Sequence, residues 1–451
     1  MTMNDKKAGF MMIEALTVLF IFALVSVTFY AVFSVGTKAI IDVKNRLSAN
    51  SLANEKMEII RNLNYSNIGT VGGIPAGNIL ANEDVAENGK YFHVKTLVQY
   101  IDDPLDGIYP ADLVPNDYKR VKITVSWNSG NSNSSGSVYY VSNFVPYGLE
   151  SGFAGGVLAI NIVDSSGFGV PQANVNILNS TVSPAINLNV LTDDTGNLMF
   201  PGAPQSTQNY QLIISKSGYE TVATFPPYPT TAYYPTDVHA SVISGALNVK
   251  TVIINKLSNL NIFTADGVGN KISGISCNFI ISGGRILGTG ADAAHTPVYN
   301  IQNQSETIDV TGEKSLSAIS PGQYVITPTA PTGYSLVGID PVTPFSLLPG
   351  STLEAKIKLA PINKSALLLT VVDGSTNSPI VGAQAELKNS SGYDIIQTSG
   401  SDGVMFFQNG NDPLISGTYD LKVSATGYQD NISQEIINAD ELKTETIKML
   451  P

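Results

Sequence analysis

Residues 15–37 form a run of 23 positions without a charge, rich in Leu, Val, Phe and Ile. No other feature limits the fold so strongly, because a helix of about 20 apolar residues is what crosses a bilayer. Lys6 and Lys7 precede the run, which fits a cytoplasmic start under the positive-inside rule. The run is longer than the roughly 7–15-residue apolar region of an ordinary secretory signal peptide. Nor does the helical pattern stop at Lys38. Ile40, Val43 and Leu47, then Ala53, Met57 and Ile60, recur at spacings of three or four residues or nearly so, the stripe of an amphipathic helix. Helix formers persist to Arg61, and residues 62–69 supply a stop. A continuous helix over 10–63 spans about 80 Å. Only half fits in a bilayer, so the amphipathic part, 38–63, needs a folded domain or neighbouring copies of itself to lie against.

Charge divides the chain at the same place. Residues 1–62 hold seven Lys/Arg and five Asp/Glu, whereas residues 63–451 hold 18 and 32, within a total of -12. The acidic balance leaves no basic stripe to release counterions from nucleic acid, so no nucleic-acid contact is expected. A charged content of 14%, with 20 Tyr and 16 Phe, excludes the highly charged disordered class. Cys277 is the single cysteine, which excludes an intramolecular disulfide and cysteine-rich metal sites. His93, His239 and His295 lie far apart and lack metalloprotease spacing, and no nucleophile elbow or phosphate loop is present. No catalysis, cofactor or metal is expected.

Glu14 stands at the start of the apolar run, where a carboxylate is costly and marks a functional position. Its setting is Lys6-Lys7-Ala8-Gly9-Phe10-Met11-Met12-Ile13-Glu14. This stretch resembles the leader of type IV prepilins: a short basic segment ending in Gly, then Phe, with Glu as the fifth residue after the Gly. The resemblance implies that a prepilin peptidase cuts between Gly9 and Phe10 at the cytoplasmic face and that the new N-terminus is methylated. Residues 1–9 are then a leader and 10–63 a retained N-terminal helix. Cleavage creates an α-amine on Phe10 about one turn from Glu14. Pairing the two, within a chain or between subunits, removes two desolvated charges together and fixes subunit register. Residues 53–63, followed by Tyr65, resemble the helix end of minor pilins of the pilus-modification type, which are also relatives of secretion pseudopilins.

Three strand signals follow. Phe92, Val94, Val98 and Tyr100 share one face of residues 91–100; Val121, Ile123, Val125 and Trp127 alternate with polar residues over 120–127; residues 138–145 give the third. The pattern predicts a small antiparallel sheet over 64–150, packed on the amphipathic helix with its polar face in water. That is also the α+β pilin fold the resemblance implies. Residues 128–137 are all Asn, Ser or Gly and read as a hairpin tip. Asp102, Asp103 and Asp106 form an acidic loop that turn chemistry explains as well as calcium does, and they are not assigned as a site.

From about residue 155 the chain repeats itself. Residues 158–164, the turn Asp194-Thr195-Gly196 leading to Phe200, Asn209-Tyr210 and Gly218-Tyr219 recur as residues 367–373, Asp402-Gly403 leading to Phe406, Thr418-Tyr419 and Gly427-Tyr428. A degenerate middle copy retains residues 260–265, Gln323-Tyr324 and Gly333-Tyr334. Short alternating strands between Gly, Pro, Asn and Asp predict three all-β sandwich domains, at 151–246, 247–361 and 362–451. They resemble carboxypeptidase regulatory-like domains and, in pattern, collagen-adhesin B-type repeats, which are transthyretin-like or immunoglobulin-like stalk modules. Such adhesin repeats can carry Lys–Asn isopeptide crosslinks, and no Lys, Asn and Glu set is evident. The Pro-rich loop 225–235, with Tyr228, Tyr233 and Tyr234, is a candidate contact surface or a packed inter-domain loop.

The expected function is that of a minor pilin or pseudopilin: membrane-anchored and single-pass, then assembled with other pilin subunits into a type IV pilus-like filament at the cell surface. Bulky C-terminal domains suit a low-copy tip or priming subunit. The alternatives are a surface adhesin carried on the filament, its ligand bound by the C-terminal domains, and a pseudopilin of a type II secretion or DNA-uptake machine.

Overall fold

The structure is a computed structural model, and it describes residues 12–103, 116–128, 135–147, 154–410 and 412–451. One helix is followed by many strands in several sheets. The chain divides into two compact units. The first holds residues 1–161, 175–207 and 241–250; the second holds 162–174, 208–240 and 251–451.

In the first unit, α1 (Met12–Arg61) is one unbroken helix of 50 residues, about 75 Å at 1.5 Å per residue. Its buried face is Asn45, Ser48, Ala49, Leu52, Ala53, Met57 and Ile60. Their three- and four-residue spacing makes a single stripe. Ala49 and Ala53 are fully buried, and such small side chains let the helix lie close to the sheet beneath it. That sheet is antiparallel, in the order β1 (Asn82–Glu87), β2 (Lys90–Ile101), β3 (Tyr118–Trp127) and β4 (Gly136–Phe144). Residues Phe92, Val94, Val98, Val121, Ile123, Val125 and Trp127 form one core with the helix stripe. Phe92 and Trp127 meet edge to face at 6.3 Å. β1 is absent from the sequence expectation because Asn82-Glu83-Asp84-Val85-Ala86-Glu87 has almost no apolar alternation. It forms because Asn88 and Gly89 both adopt positive φ, the geometry of a tight hairpin turn. Lys56 on α1 secures it with an ion pair to Glu83 at 2.8 Å.

The outer face of this sheet is not wholly in water, as its polar sequence suggested. Gln99 is only 9% exposed, and Lys122 Nζ pairs with Asp194 Oδ2 at 2.7 Å. Asp194 belongs to the turn that opens the strand Asn197–Ala203, which pairs antiparallel with residues 156–161.

The second unit repeats one strand path. The strand Ser258–Ala265 pairs antiparallel with Glu313–Ile319 and parallel with Thr352–Pro361. Ala366–Asp373 pairs antiparallel with Val404–Phe407 and parallel with Leu442–Met449. The companion sheets are built on Cys277–Gly290 beside Gly322–Pro328, and on Gln384–Lys388 beside Gly417–Ser424. Each sheet pair encloses its own apolar core, one around Ile262, Phe279 and Ile357 and the other around Leu369, Phe407 and Leu421.

The repeated motifs have physical roles. Tyr324 and Tyr419 are buried, and their hydroxyls donate to the carbonyls of Ser320 and Ile415, four residues back, at 2.6 and 2.9 Å. Gly218, Gly333 and Gly427 all take positive φ, and the Tyr after each donates its N–H to the carbonyl three residues back. The middle copy is also more complete than its sequence suggests. Asp309 accepts the N–H of Thr311 before Gly312, as Asp193 accepts that of Thr195 before Gly196. A long hairpin of 14- and 12-residue strands precedes Asp309, where the last copy has strands of five and five. That insertion moved the turn out of register with the other copies and hid it.

Arg285 ties three segments of this unit together. Its guanidinium donates to Glu220 Oε1 at 3.1 Å, to Asp237 Oδ2 at 2.8 Å and to the Ile253 carbonyl at 2.8 Å. Glu220 is almost fully buried and also accepts the Asn255 N–H at 3.0 Å. Three partners around one guanidinium are what makes this much charge tolerable inside.

Candidate functional site

The site is α1 itself. Its first part, from Met12 to about Lys44, has no protein covering it: Ile13, Phe20, Phe22, Leu24, Val27, Phe29 and Phe33 are all exposed. Mean hydropathy over its most apolar 18 residues is 2.5, and the stretch is long and apolar enough to cross a membrane. In such surroundings every backbone group must be satisfied within the helix. The same holds for the hydroxyls, and Thr17, Thr28 and Thr37 donate theirs to the carbonyls of Ile13, Leu24 and Phe33, at 2.6, 2.5 and 2.9 Å.

Glu14 lies in the first described turn, exposed between Ile13 and Leu16. Gly9 and Phe10, the positions assigned to cleavage and methylation, lie outside the described residues, as does Asp106 of the acidic loop. Among the described residues, no group of three or more His, Cys, Asp or Glu side chains is arranged to hold a metal ion. The histidines stay apart: His93 meets Asp84 at 2.9 Å, and His239 meets Thr224 at 2.9 Å. Cys277 is buried, and burial pushes its thiol above the usual range.

The apolar stripe that the sequence placed along 40–60 turns out to be two faces. Ala53, Met57 and Ile60 pack on the sheet. Ile40 and Leu47, by contrast, are 72% and 64% exposed, and Val43 is exposed with them. At 3.6 residues per turn, Ile40, Val43 and Leu47 point nearly opposite to Ala49 and Leu52. The buried face is completed by Asn45, Ser48, Ala49 and Leu52, which apolar counting undervalues because two of them are polar. Past the membrane-length run, α1 therefore uses one side to hold its own domain and keeps a second apolar side free.

Beneath the helix end sits a buried cation. Lys119 is 3% exposed. Its Nζ donates to the carbonyls of Tyr65 and Ile68 at 2.8 and 2.7 Å and lies over the Tyr65 ring, 4.5 Å from its centre. Burial pulls its pKa down to about 8. The ammonium satisfies the short turn Tyr65–Asn67 that follows α1, and so fixes where the helix meets the sheet. Lys119 shares the face of Val121 and Ile123, but the apolar alternation over 120–127 stops one residue short of it.

No protein-family model and no curated protein matches the chain. Solved structures similar to it include the Bacillus anthracis TIE protein, at 14% identity over 82% of this chain and 73% of that one, with a TM-score of 0.19. A streptococcal ancillary pilin is 15% identical over 65% of this chain and 98% of its own, with a TM-score of 0.18. GBS52, the minor pilin of Streptococcus agalactiae, is 18% identical over 43% and 95%, with a TM-score of 0.17. At TM-scores this low, none of these likenesses enters the functional argument.

Proposed function

We propose that the chain is a non-enzymatic filament subunit of the type IV pilus class, a minor pilin or pseudopilin anchored in the cytoplasmic membrane before assembly. The supporting observation is the division of α1. Residues 12–44 form an uncovered apolar helix, residues 45–60 a stripe packed on a four-stranded sheet, and a second apolar face runs on past the membrane-length segment. Outside the bilayer that exposed helix needs apolar partners, and helices of other subunits supply them without leaving an apolar patch in water. The free face of Ile40, Val43 and Leu47 extends the contact by two turns. Glu14 serves as the charge that pairs with the Phe10 amine. Residues 64–150 act as the pilin-like domain, and 151–246, 247–361 and 362–451 as sandwich domains displayed outward.

Intact-mass analysis of the protein recovered from its native membrane or filament tests this reading. The expected mass is that of a chain beginning at methylated Phe10. Gly9→Val is expected to leave the leader in place. A wild-type chain that keeps residues 1–9, or one cut beyond residue 37, overturns the proposal.

A further inference from the structure

The loop 225–235 combines packed aromatics with exposed ones. Phe225 and Tyr233 meet edge to face at 6.0 Å and are half-buried, so they anchor the loop. Thr231 locks the bend, donating its hydroxyl to the Pro226 carbonyl at 2.6 Å and its N–H to that of Pro227 at 3.3 Å. Tyr233–Pro235 then joins the edge of the strand Cys277–Gly290, with Tyr234 opposite Thr289 and Pro235 opposite Gly288. Gly288 is required there: a Cβ on it would stand 2.2 Å from the Tyr234 carbonyl oxygen and 2.6 Å from the Tyr233 ring.

Tyr228 and Tyr234 are held outward on this support, 44% and 45% exposed. Their ring centres are 4.6 Å apart at a tilt of 40°. His295 stands beside them, 6.4 Å from the Tyr234 ring centre. It holds a left-handed backbone, φ 47°, and its Nδ1 lies 3.3 Å from the Gly290 carbonyl. Asp292 and Thr296 are exposed and flank the same glycine. Two aromatic rings are thus held partly in water on a strand and a proline-rich bend, with His295 beside Tyr234 and with Asp292 and Thr296 by Gly290, the strand partner of Tyr233.

We propose that Tyr228, Tyr234 and His295 form a carbohydrate-binding platform for a neutral pyranose. A pyranose ring offers an apolar face of C–H bonds and a rim of hydroxyls. The exposed parts of the two rings suit the first, and the tyrosine hydroxyls, the imidazole, Asp292 and Thr296 suit the second. The support is already ordered, so little conformational freedom is lost on binding. A protein partner fits less well. A fully buried aromatic contributes 150–250 Å², so two rings at this exposure offer roughly 150–200 Å², against about 800 Å² per partner in a stable protein interface. The platform lies wholly in the second unit and does not depend on the filament reading.

The test uses the detergent-solubilised full chain and the hexasaccharides of maltose, cellulose, mannan and chitin, with calorimetry and saturation-transfer NMR as readouts. At least one saccharide is expected to bind, with saturation transfer on its ring C–H protons. Tyr234→Ala and Tyr228→Ala are each expected to weaken binding about tenfold, while Tyr234→Phe retains the stacking and stays within about threefold of wild type. Saturation transfer on the wild-type chain needs no variant to fold. The proposal is overturned if none of the four saccharides binds, if the Tyr228→Ala/Tyr234→Ala double variant binds as well as wild type, or if a proline-rich peptide titrates the tyrosines and the saccharides do not.

Discussion

Lys119 sits on β3 in line with Val121 and Ile123, and three apolar neighbours would have been the simpler solution. An ammonium in that line is tolerated because two carbonyls and an aromatic face receive it. The sign of its pH dependence follows from burial. The folded pKa, about 8, lies below the value near 10.4 of an open chain. Between these values the unfolded chain holds more protons than the folded one, so stability rises with pH across that window. Trp127 is the single tryptophan and lies in the core this lysine borders, so its fluorescence reports unfolding of this domain alone. The expected result is a higher Trp127-monitored midpoint at pH 9.5 than at pH 7. Lys95, lowered by burial and by Lys122, contributes with the same sign. Lys119→Met is expected to flatten most of the rise, and an unchanged slope in that variant would refute the assignment. Asp373 shows the opposite case on a surface turn. The N–H groups of Thr376 and Ser375 and the Tyr428 hydroxyl hold its carboxyl down to about 2, so it stays ionised across the physiological range.

α1 is where element-level reasoning has most to explain, because one helix meets two environments. Its buried stripe behaves as an ordinary core. Met57 is fully buried against the sheet, and Met57→Ala is expected to destabilise the domain by about 2–5 kcal/mol, read by denaturant unfolding followed at Trp127. The free face predicts differently. Leu47→Ser and Val43→Ser are expected to change that stability by less than about 0.5 kcal/mol, as exposed substitutions do, while lowering the amount of the protein that co-sediments with filaments. If both substitutions unfold the domain, the face is not free. The sequence period alone could not separate the two faces. Ile40, Val43 and Leu47 are spaced like a core stripe, and only packing shows that Asn45 and Ser48 take the buried positions instead.

At the scale of the molecule, the second unit repeats one strand path across residues 258–361 and 366–449, and such bulk would constrain how filament subunits gather. If the chain is the filament subunit proposed above, many copies side by side would crowd these domains, and few copies are then expected, at a filament end. Immunogold labelling against residues 362–451 is expected to mark filament ends, and dense label along the shaft would contradict it. Deleting residues 151–451 separates the roles further. Filaments that persist but no longer attach to surfaces would assign the domains to adhesion, whereas loss of filaments would assign them to priming. The fold also places charge where the average hides it. Arg285, Glu220 and Asp237 form a largely buried cluster, whereas most other acidic residues among those described are solvated.

Much of this architecture is legible in the sequence alone. A run of 23 uncharged residues marks a helix of membrane-spanning length, and alternation over 91–100 and 120–127 marks two strands. Glycine before tyrosine marks three turns, since a residue without a Cβ takes the positive φ each needs at least cost. Local signals of this kind act within a few residues of chain, and the sequence carries them whole. What needed the tertiary structure was long-range. The pairing of polar β1, the burial of Lys119 and Gln99, and the choice between the two faces of α1 depend on which distant segment supplies a partner. So does the exposure of Tyr228 and Tyr234, which rests on a strand joining a sheet some 50 residues further on. Composition and period say which residues seek burial; only the packed chain decides which of them find it.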